Sequence, residues 1–239
     1  MQLFYAPDIS GNVYVFPEDE SKHIVKVLRL KEGDNIHITD GKGNLFISEI
    51  IEADIKNCKV KVTSKRSEEG KREFSVHMAI APTKNIKRFE WFLEKCTEIG
   101  VDKITPLKCR YSERDNIRSD RLNRVISSAM KQSLKTYLPV LNEMTDFEDF
   151  LNSDLGSTTC RYIALCDDSP KQHLKNAYFH GKDVVIIIGP EGDFSHEEKE
   201  RAKERGFEPV TISASRLRTE TAGVVACHAV NLVNEENVK

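Results

Sequence analysis

No two of the six cysteines form a C-x-x-C pair; they stand apart at 58, 96, 109, 160, 166 and 227. That spacing excludes the common zinc modules and fits reduced thiols in a cytoplasmic chain. The seven histidines likewise form no H-x-x-x-H pair, so no metal is expected. No apolar run approaches the roughly 20 residues that span a bilayer. The opening residues Met1–Asp8 lack the basic and apolar regions of a signal peptide, so a cytoplasmic protein without membrane contact is expected. G-x-G-x-x-G after a strand, G-x-x-x-x-G-K-[ST] and G-x-S-x-G are all missing. Their absence argues against dinucleotide enzymes, P-loop NTPases and α/β-hydrolases. There are no internal repeats and no low-complexity tract.

What is present is ordinary in amount and uneven in arrangement. The 239 residues, 39% hydrophobic and 31% charged, suit one large soluble domain or two modest ones. The net charge of −2 hides a division. Residues 84–135 carry 13 Lys+Arg against 7 Asp+Glu, whereas residues 136–239 carry 11 against 18. A basic middle in an acidic chain suggests a polyanion met by one surface; a solvated face is the simpler explanation.

Short β-rich segments dominate the first 65 or so residues: Asn12–Phe16, Asn35–Thr39, Leu45–Ile50 and Cys58–Val62. Asp40-Gly41 followed by Lys42-Gly43-Asn44 marks a hairpin turn, and a short helix is expected over 18–28. This spacing predicts a small β-barrel domain over residues 1–70. The polar stretch Ser64–Arg72 reads as a linker. Strands and helices then alternate through a second domain over 74–239. Strands are predicted at Phe74–Ala81, Lys103–Leu107, Tyr162–Leu165, Val184–Ile188 and Pro209–Ile212. Helices are predicted at Asn85–Ile99, 118–134, Ser195 to about Arg205, and Thr219–Asn234. The pattern is that of an α/β domain preceded by a small β domain.

Val184–Ile188 is the most informative segment. Five β-branched apolar residues in a row fit a strand covered on both faces within a parallel sheet. Gly189-Pro190-Glu191-Gly192-Asp193-Phe194 follows, and its two glycines could let the backbone approach a ligand. Ser195 and Glu198 have the spacing of a capping box. Ligands of open α/β sheets lie beyond the carboxyl ends of the strands, so this loop is a candidate site. A second is Ser213–Gly223, where Arg218 precedes a helix that Thr219 could cap. Ala222, Gly223, Ala226 and Ala229 give that helix a small-residue face, suited to close packing within the chain or against a partner. The helix at 118–135 carries Arg121, Arg124, Lys131 and Lys135 on one side. With Lys22, Lys26, Arg29, Arg110, Arg114 and Arg118 they are candidates for phosphate contacts, the alternative being a solubilising face. These residues do not by themselves name a ligand.

Several motifs together resemble the ribosomal RNA small-subunit methyltransferase E family of the SPOUT class. Ile188–Ser195 matches the family's Ile-Gly-Pro-Glu-Gly-Gly-Phe-Ser except at Asp193, and Leu217–Ala222 matches Leu-Arg-Thr-Glu-Thr-Ala without change. Similarity extends to His23, Val27–Lys31 and Gly33-Asp34, to Glu90-Trp91, Lys95, Glu98 and Gly100-Val101, and to Gln132-Ser133 with Pro139. The chain departs at Ile212-Ser213-Ala214-Ser215, where the family has Leu-Gly-x-Arg, and at Lys135, where it has Arg.

The resemblance implies a PUA-like β-barrel and a SPOUT α/β domain with a C-terminal trefoil knot, paired as a homodimer. It implies S-adenosylmethionine as cofactor and N3 methylation of one uridine (the m3U1498 site) of 16S rRNA in the small ribosomal subunit. Ile188, Gly189, Pro190, Gly192, Ile212, Ser213, Leu217 and Thr219 would then hold the cofactor. Arg218 would be the catalytic cation with Lys135 or Arg124 a second, and Glu191 the nearby carboxylate. Lys22, Lys26, Arg29, Arg110, Arg114, Arg121 and Arg124 would meet RNA. A SPOUT enzyme for another RNA, or a silent assembly factor, remain the alternatives.

Overall fold

A computed structural model of the chain describes residues 2–167 and 169–235. They divide into two compact units: residues through Lys71 with Met130–Leu138, and Arg72–Ala129 with the stretch from Pro139 onward.

In the first unit, β1 (Leu3–Tyr5), β2 (Val13–Val15), β3 (Asn35–Thr39), β4 (Leu45–Glu52) and β5 (Lys59–Arg66) form one sheet in the order β1-β3-β4-β5-β2. Only β1 and β3 run parallel. Period-2 alternation turns Ile36 and Ile38 of β3 inward, against Phe4, Phe16, Ile24, Ile50 and Val60. The hairpin after β3 forms as expected, with Asp40 Oδ1 accepting from Lys42 N–H at 2.8 Å. The helix expected over 18–28 is α1 (Glu18–Lys22) continued by a π-helical turn, His23–Val27.

The linker expected over Ser64–Arg72 needs correction, and one strand of this unit is unexpected. β1 has no forecast, because three residues carry too little pattern. β5 runs through Arg66, so its end is strand and not linker: paired with Leu45, its last residue has a partner that composition does not reveal. Arg72, read as linker, donates to Gly100 O (2.7 Å) and Asn231 Oδ1 (2.8 Å) and pairs with Asp102 Oδ2 (2.6 Å), within the second unit.

The second unit contains β6 (Val76–Ile80), α2 (Ile86–Ile99), β7 (Lys103–Lys108), α3 (Ser119–Gln132) up to Ala129, β8 (Val140–Leu141), β9 (Thr145–Asp146) and α4 (Phe147–Asn152). Then follow β10 (Cys160–Ala164), β11 (Gln172–His173), α5 (Leu174–Ala177), β12 (Val184–Ile188), α6 (His196–Glu204), β13 (Glu208–Thr211) and α7 (Thr219–Glu235). The sheet order is β11-β13-β10-β12-β6-β7-β8, with β9 also on β7, and every pairing is parallel. All five residues of β12 are buried between β10 and β6, as the apolar run requires. Burial of each such side chain contributes roughly 1.5–3 kcal/mol.

Val185 and Ile187 face a cluster with Phe147, Phe150, Phe194 and Phe207. On the other side, α7 packs on α2, β6 and β12. Gly223 makes this possible: a Cβ there would lie 2.6 Å from the Phe92 ring and 2.9 Å from Ile80 Cδ1. Gly223 and Ala226 are buried by the chain itself, so that part of the small-residue face serves internal packing rather than a partner. α3 ends at Gln132, and Lys135 therefore stands beyond the helix, after Leu134 at φ +57°.

Candidate active site

The carboxyl ends of β10, β12 and β13 open on a cavity of about 690 Å³. Its walls are residues 164–167 after β10, 188–191 and 193 after β12, 211–220 from the end of β13 into α7, Ala222, and Arg88 of α2. Every one belongs to the second unit. Leu165, Ile188 and Ile212 bring buried apolar side chains to the wall. Arg88, Arg216 and Arg218 stand among four carboxylates, those of Asp167, Glu191, Asp193 and Glu220. Such a cavity suits a ligand with a flat apolar part and polar, charged appendages.

The wall after β12 is set by local chemistry. Ser195 Oγ accepts from Glu198 N–H (3.2 Å) while Glu198 Oε2 accepts from Ser195 N–H (2.8 Å), so the capping box starts α6 as the sequence predicts. Glu198 Oε1 also accepts from Arg110 N–H at 2.8 Å, which joins the loop after β7 to α6. Asp193 N–H closes a turn on Pro190 O (3.0 Å), and Asp193 takes φ +63°. Neither Gly189 nor Gly192 has positive φ. Their missing side chains admit neighbours of this same chain: a Cβ on Gly189 would lie 2.9 Å from the Phe194 ring, and one on Gly192 3.0 Å from Tyr111 Cβ. The glycines let loops close on one another, a different reason from the expected approach to a ligand.

In the opposite wall, Ser215 N–H donates to Ser213 Oγ at 3.1 Å, and Thr211 Oγ1 donates to Ser213 O at 3.1 Å. Ser213 needs no positive φ, so serine can form this turn without glycine's freedom. α7 begins at Thr219 itself, so its cap lies one residue earlier than expected. Ala222 N–H bonds Arg218 O (2.8 Å), which gives Arg218 the cap position and puts buried Thr219 in the first turn.

Of the residues expected at the cofactor, Ile188, Gly189, Pro190, Ile212, Ser213, Leu217 and Thr219 line the cavity, and Gly192 does not. Arg218 and Glu191 line it too; Lys135 lies in the first unit. Glu191 Oε1 accepts from Lys84 N–H at 3.0 Å, and Arg114 donates to Thr83 O (3.3 Å) and Lys84 O (2.8 Å). Both thus brace the loop after β6. Among the described residues Arg218 has no carboxylate partner, whereas Arg110 pairs with Glu197 and Arg121 donates to Glu90 Oε2 at 3.0 Å. Arg124 stays exposed, as do Lys22, Lys26 and Arg29 of the first unit.

Sequence reasoning missed Arg88, Glu220 and residues 164–167. The motif holding Glu220 is visible in sequence, but its burial beside Arg88 Nε (3.8 Å) is not. Asp167 accepts from Lys171, Ser169 and Lys199, which hold its carboxyl well below the usual carboxylate range. Among the described residues no His, Cys, Asp and Glu side chains gather in a group that could hold a metal, and no helix is long and apolar enough to cross a membrane.

A parallel sheet with a ligand cavity at its carboxyl edge, preceded in the chain by a small β unit, has close counterparts. Residues 47–231 match the model of an RNA methyltransferase domain, and residues 16–63 match that of an RNA methyltransferase PUA domain. The fold is that of an RNA methyltransferase. Curated relatives named ribosomal RNA small subunit methyltransferase E include one from Synechocystis, 28% identical over 89% of this chain and 71% of its own. Another, from Buchnera aphidicola, is 27% identical over 96% of this chain and 92% of its own. A probable rRNA-methyltransferase from Porphyromonas gingivalis is 42% identical, with a TM-score of 0.92 over 98% of this chain and 99% of that one. A putative methyltransferase from Legionella pneumophila, solved with bound SAM, is 25% identical, with a TM-score of 0.85 over 97% of each chain. The chain belongs to the ribosomal RNA small subunit methyltransferase E family.

Proposed function

We propose that this protein transfers the methyl group of S-adenosylmethionine to N3 of one uridine in 16S rRNA of the small ribosomal subunit. The observation that carries this reading is the cavity beyond β10, β12 and β13, with Arg218 in its wall. The residues fit the donor: apolar Leu165, Ile188 and Ile212 suit a purine, and the carboxylates and first turn of α7 suit its charged groups. In this reading residues 1–70 are a PUA-like RNA-binding domain and residues 74–239 a SPOUT domain knotted near its C-terminus. The protein works as a cytoplasmic homodimer.

When bound, the donor supplies an electrophilic methyl group on sulfonium sulfur. Uridine N3 carries a proton at neutral pH; its loss to solvent water puts negative charge on O2 and O4, and N3 then takes the methyl group as the sulfonium becomes a neutral thioether. Arg218 stabilises that charge. Arg88, held near Glu220, is a second cation of the wall. Glu191 positions its loop through Lys84.

Labelled S-adenosylmethionine incubated with unmodified 30S particles should deposit one methyl group, which nucleoside mass spectrometry reads as N3-methyluridine. Label in tRNA or 23S rRNA alone would reassign the substrate. Absence of any heat of donor binding would make the protein a silent RNA-binding factor.

The basic helix is proposed to meet RNA phosphates. Arg124 is free to do so, whereas Arg121 must leave Glu90. Replacing both by alanine should weaken RNA affinity and reduce the salt slope by about 0.7–0.9 for each phosphate no longer neutralised, with Arg124→Ala giving the larger share. An unchanged slope in filter binding across a salt series would make this face merely solvated.

A further inference from the structure

Two carboxylates of the cavity wall share one lysine. Asp167 lies just after β10 and Asp193 just after β12. Lys199, whose N–H bonds Ser195 O in the capped start of α6, puts its Nζ 3.1 Å from Asp167 Oδ2 and 2.9 Å from Asp193 Oδ2. Lys171, with a side chain only 6% exposed, holds Asp167 Oδ1 from the other side at 2.8 Å. The β10–β12 ladder ends at Ala164 and Ile188, so beyond those residues no strand pairing among the described residues fixes the distance between the two loops. Asp193 adopts the left-handed conformation at φ +63°, which glycine would occupy more easily. Aspartate adds a carboxylate at this position, and that carboxylate goes to Lys199.

We infer that Lys199, by bridging Asp167 and Asp193, is a positioning residue that fixes the spacing of the two loops between which the methyl donor binds. This rests on the donor site proposed above. A wall assembled in advance leaves less ordering to be done on binding, and so raises affinity. Without its bridge each loop would keep its own contacts, Lys171 on Asp167 and Lys84 N–H on Glu191, but no side chain would join Asp167 to Asp193.

Charge and geometry act in opposite directions here, which makes the inference testable. Lys199→Met leaves Asp193 uncompensated and Asp167 paired with Lys171 alone, which adds net negative charge beside a cationic donor. Electrostatics alone would then tighten binding, whereas loss of the bridge weakens it. Isothermal titration of the full chain with S-adenosylmethionine should give at least a tenfold higher Kd for Lys199→Met and for Asp193→Asn. Lys199→Arg should return to within threefold of the parent. Asp193→Gly relieves the backbone yet should lose the same tenfold, and Lys199→Met added to it should cost nothing more. In methylation assays the loss should fall on KM for the donor rather than on kcat. Parent-like or tighter binding by Lys199→Met, or additive losses in the double variant, would overturn the bridge while leaving the donor site intact. A parent protein that binds no donor would overturn both.

Discussion

Replacing Arg218 by alanine is expected to cut methyl transfer by roughly 100- to 1000-fold while leaving the Kd for S-adenosylmethionine within about threefold, a loss on the scale seen when a group aimed at developing charge is removed. The expectation follows from how Arg218 is held. Its backbone carbonyl starts α7 by accepting from Ala222 N–H at 2.8 Å, and alanine keeps that bond. Its side chain is exposed at the cavity and, among the described residues, has no carboxylate partner. Truncation therefore removes a cation without unmaking the wall. Arg218→Lys should recover only part of the rate, since a point charge cannot serve two oxygens as a planar guanidinium can. Single-turnover rates with saturating 30S particles, set beside donor titrations, separate the two effects. Equal losses in rate and donor affinity would make Arg218 a donor-binding residue instead.

How far the sequence reveals this site depends on whether the signal is local. β12 is legible because five buried β-branched residues have one structural explanation, and α6 because its capping box closes within four residues. Gly100, which ends α2 at φ +126°, is legible for the same reason. The strands β8, β9 and β11 have two residues each and carry no period. α4 is different: Phe147, Phe150 and Leu151 stand at i, i+3 and i+4 and are all buried, a helical signal missing from the elements predicted above. The cavity wall at 164–167 and the Lys199 bridge arise from segments brought together only by the sheet order, with Asp167 and Lys199 32 residues apart. Nothing within either segment announces the other. Motif resemblance points to the loops around Gly189 and Leu217, yet it gives no means of seeing that Gly189 and Gly192 make room for Phe194 and Tyr111.

Gly223 should be among the least replaceable residues of the second unit, and the sign of its effect is decided by two opposing magnitudes. Alanine in the middle of a helix gains about 0.8–1.0 kcal/mol over glycine. Here the added Cβ would lie 2.6 Å and 2.8 Å from two Phe92 ring atoms and 2.9 Å from Ile80 Cδ1. Both neighbours are fully buried, so neither can swing into solvent. Overpacking of this kind typically costs about 1–3 kcal/mol, occasionally more, and wins. Gly223→Ala is therefore expected to lower the melting temperature by a few degrees, and Gly223→Val by more, because its extra methyl groups meet the same wall. Donor affinity should fall with it, since the first turn of α7 lines the cavity and the helix must move off α2 and β6 to admit the new atoms. Shortening the opposing ring supplies the check: Phe92→Leu should destabilise the parent by leaving a void, yet partly restore the Gly223→Ala variant by making room. Calorimetric scans of the four proteins test this cycle. A Gly223→Ala variant that melts above the parent, or two losses that simply add, would show that α7 does not depend on this close approach.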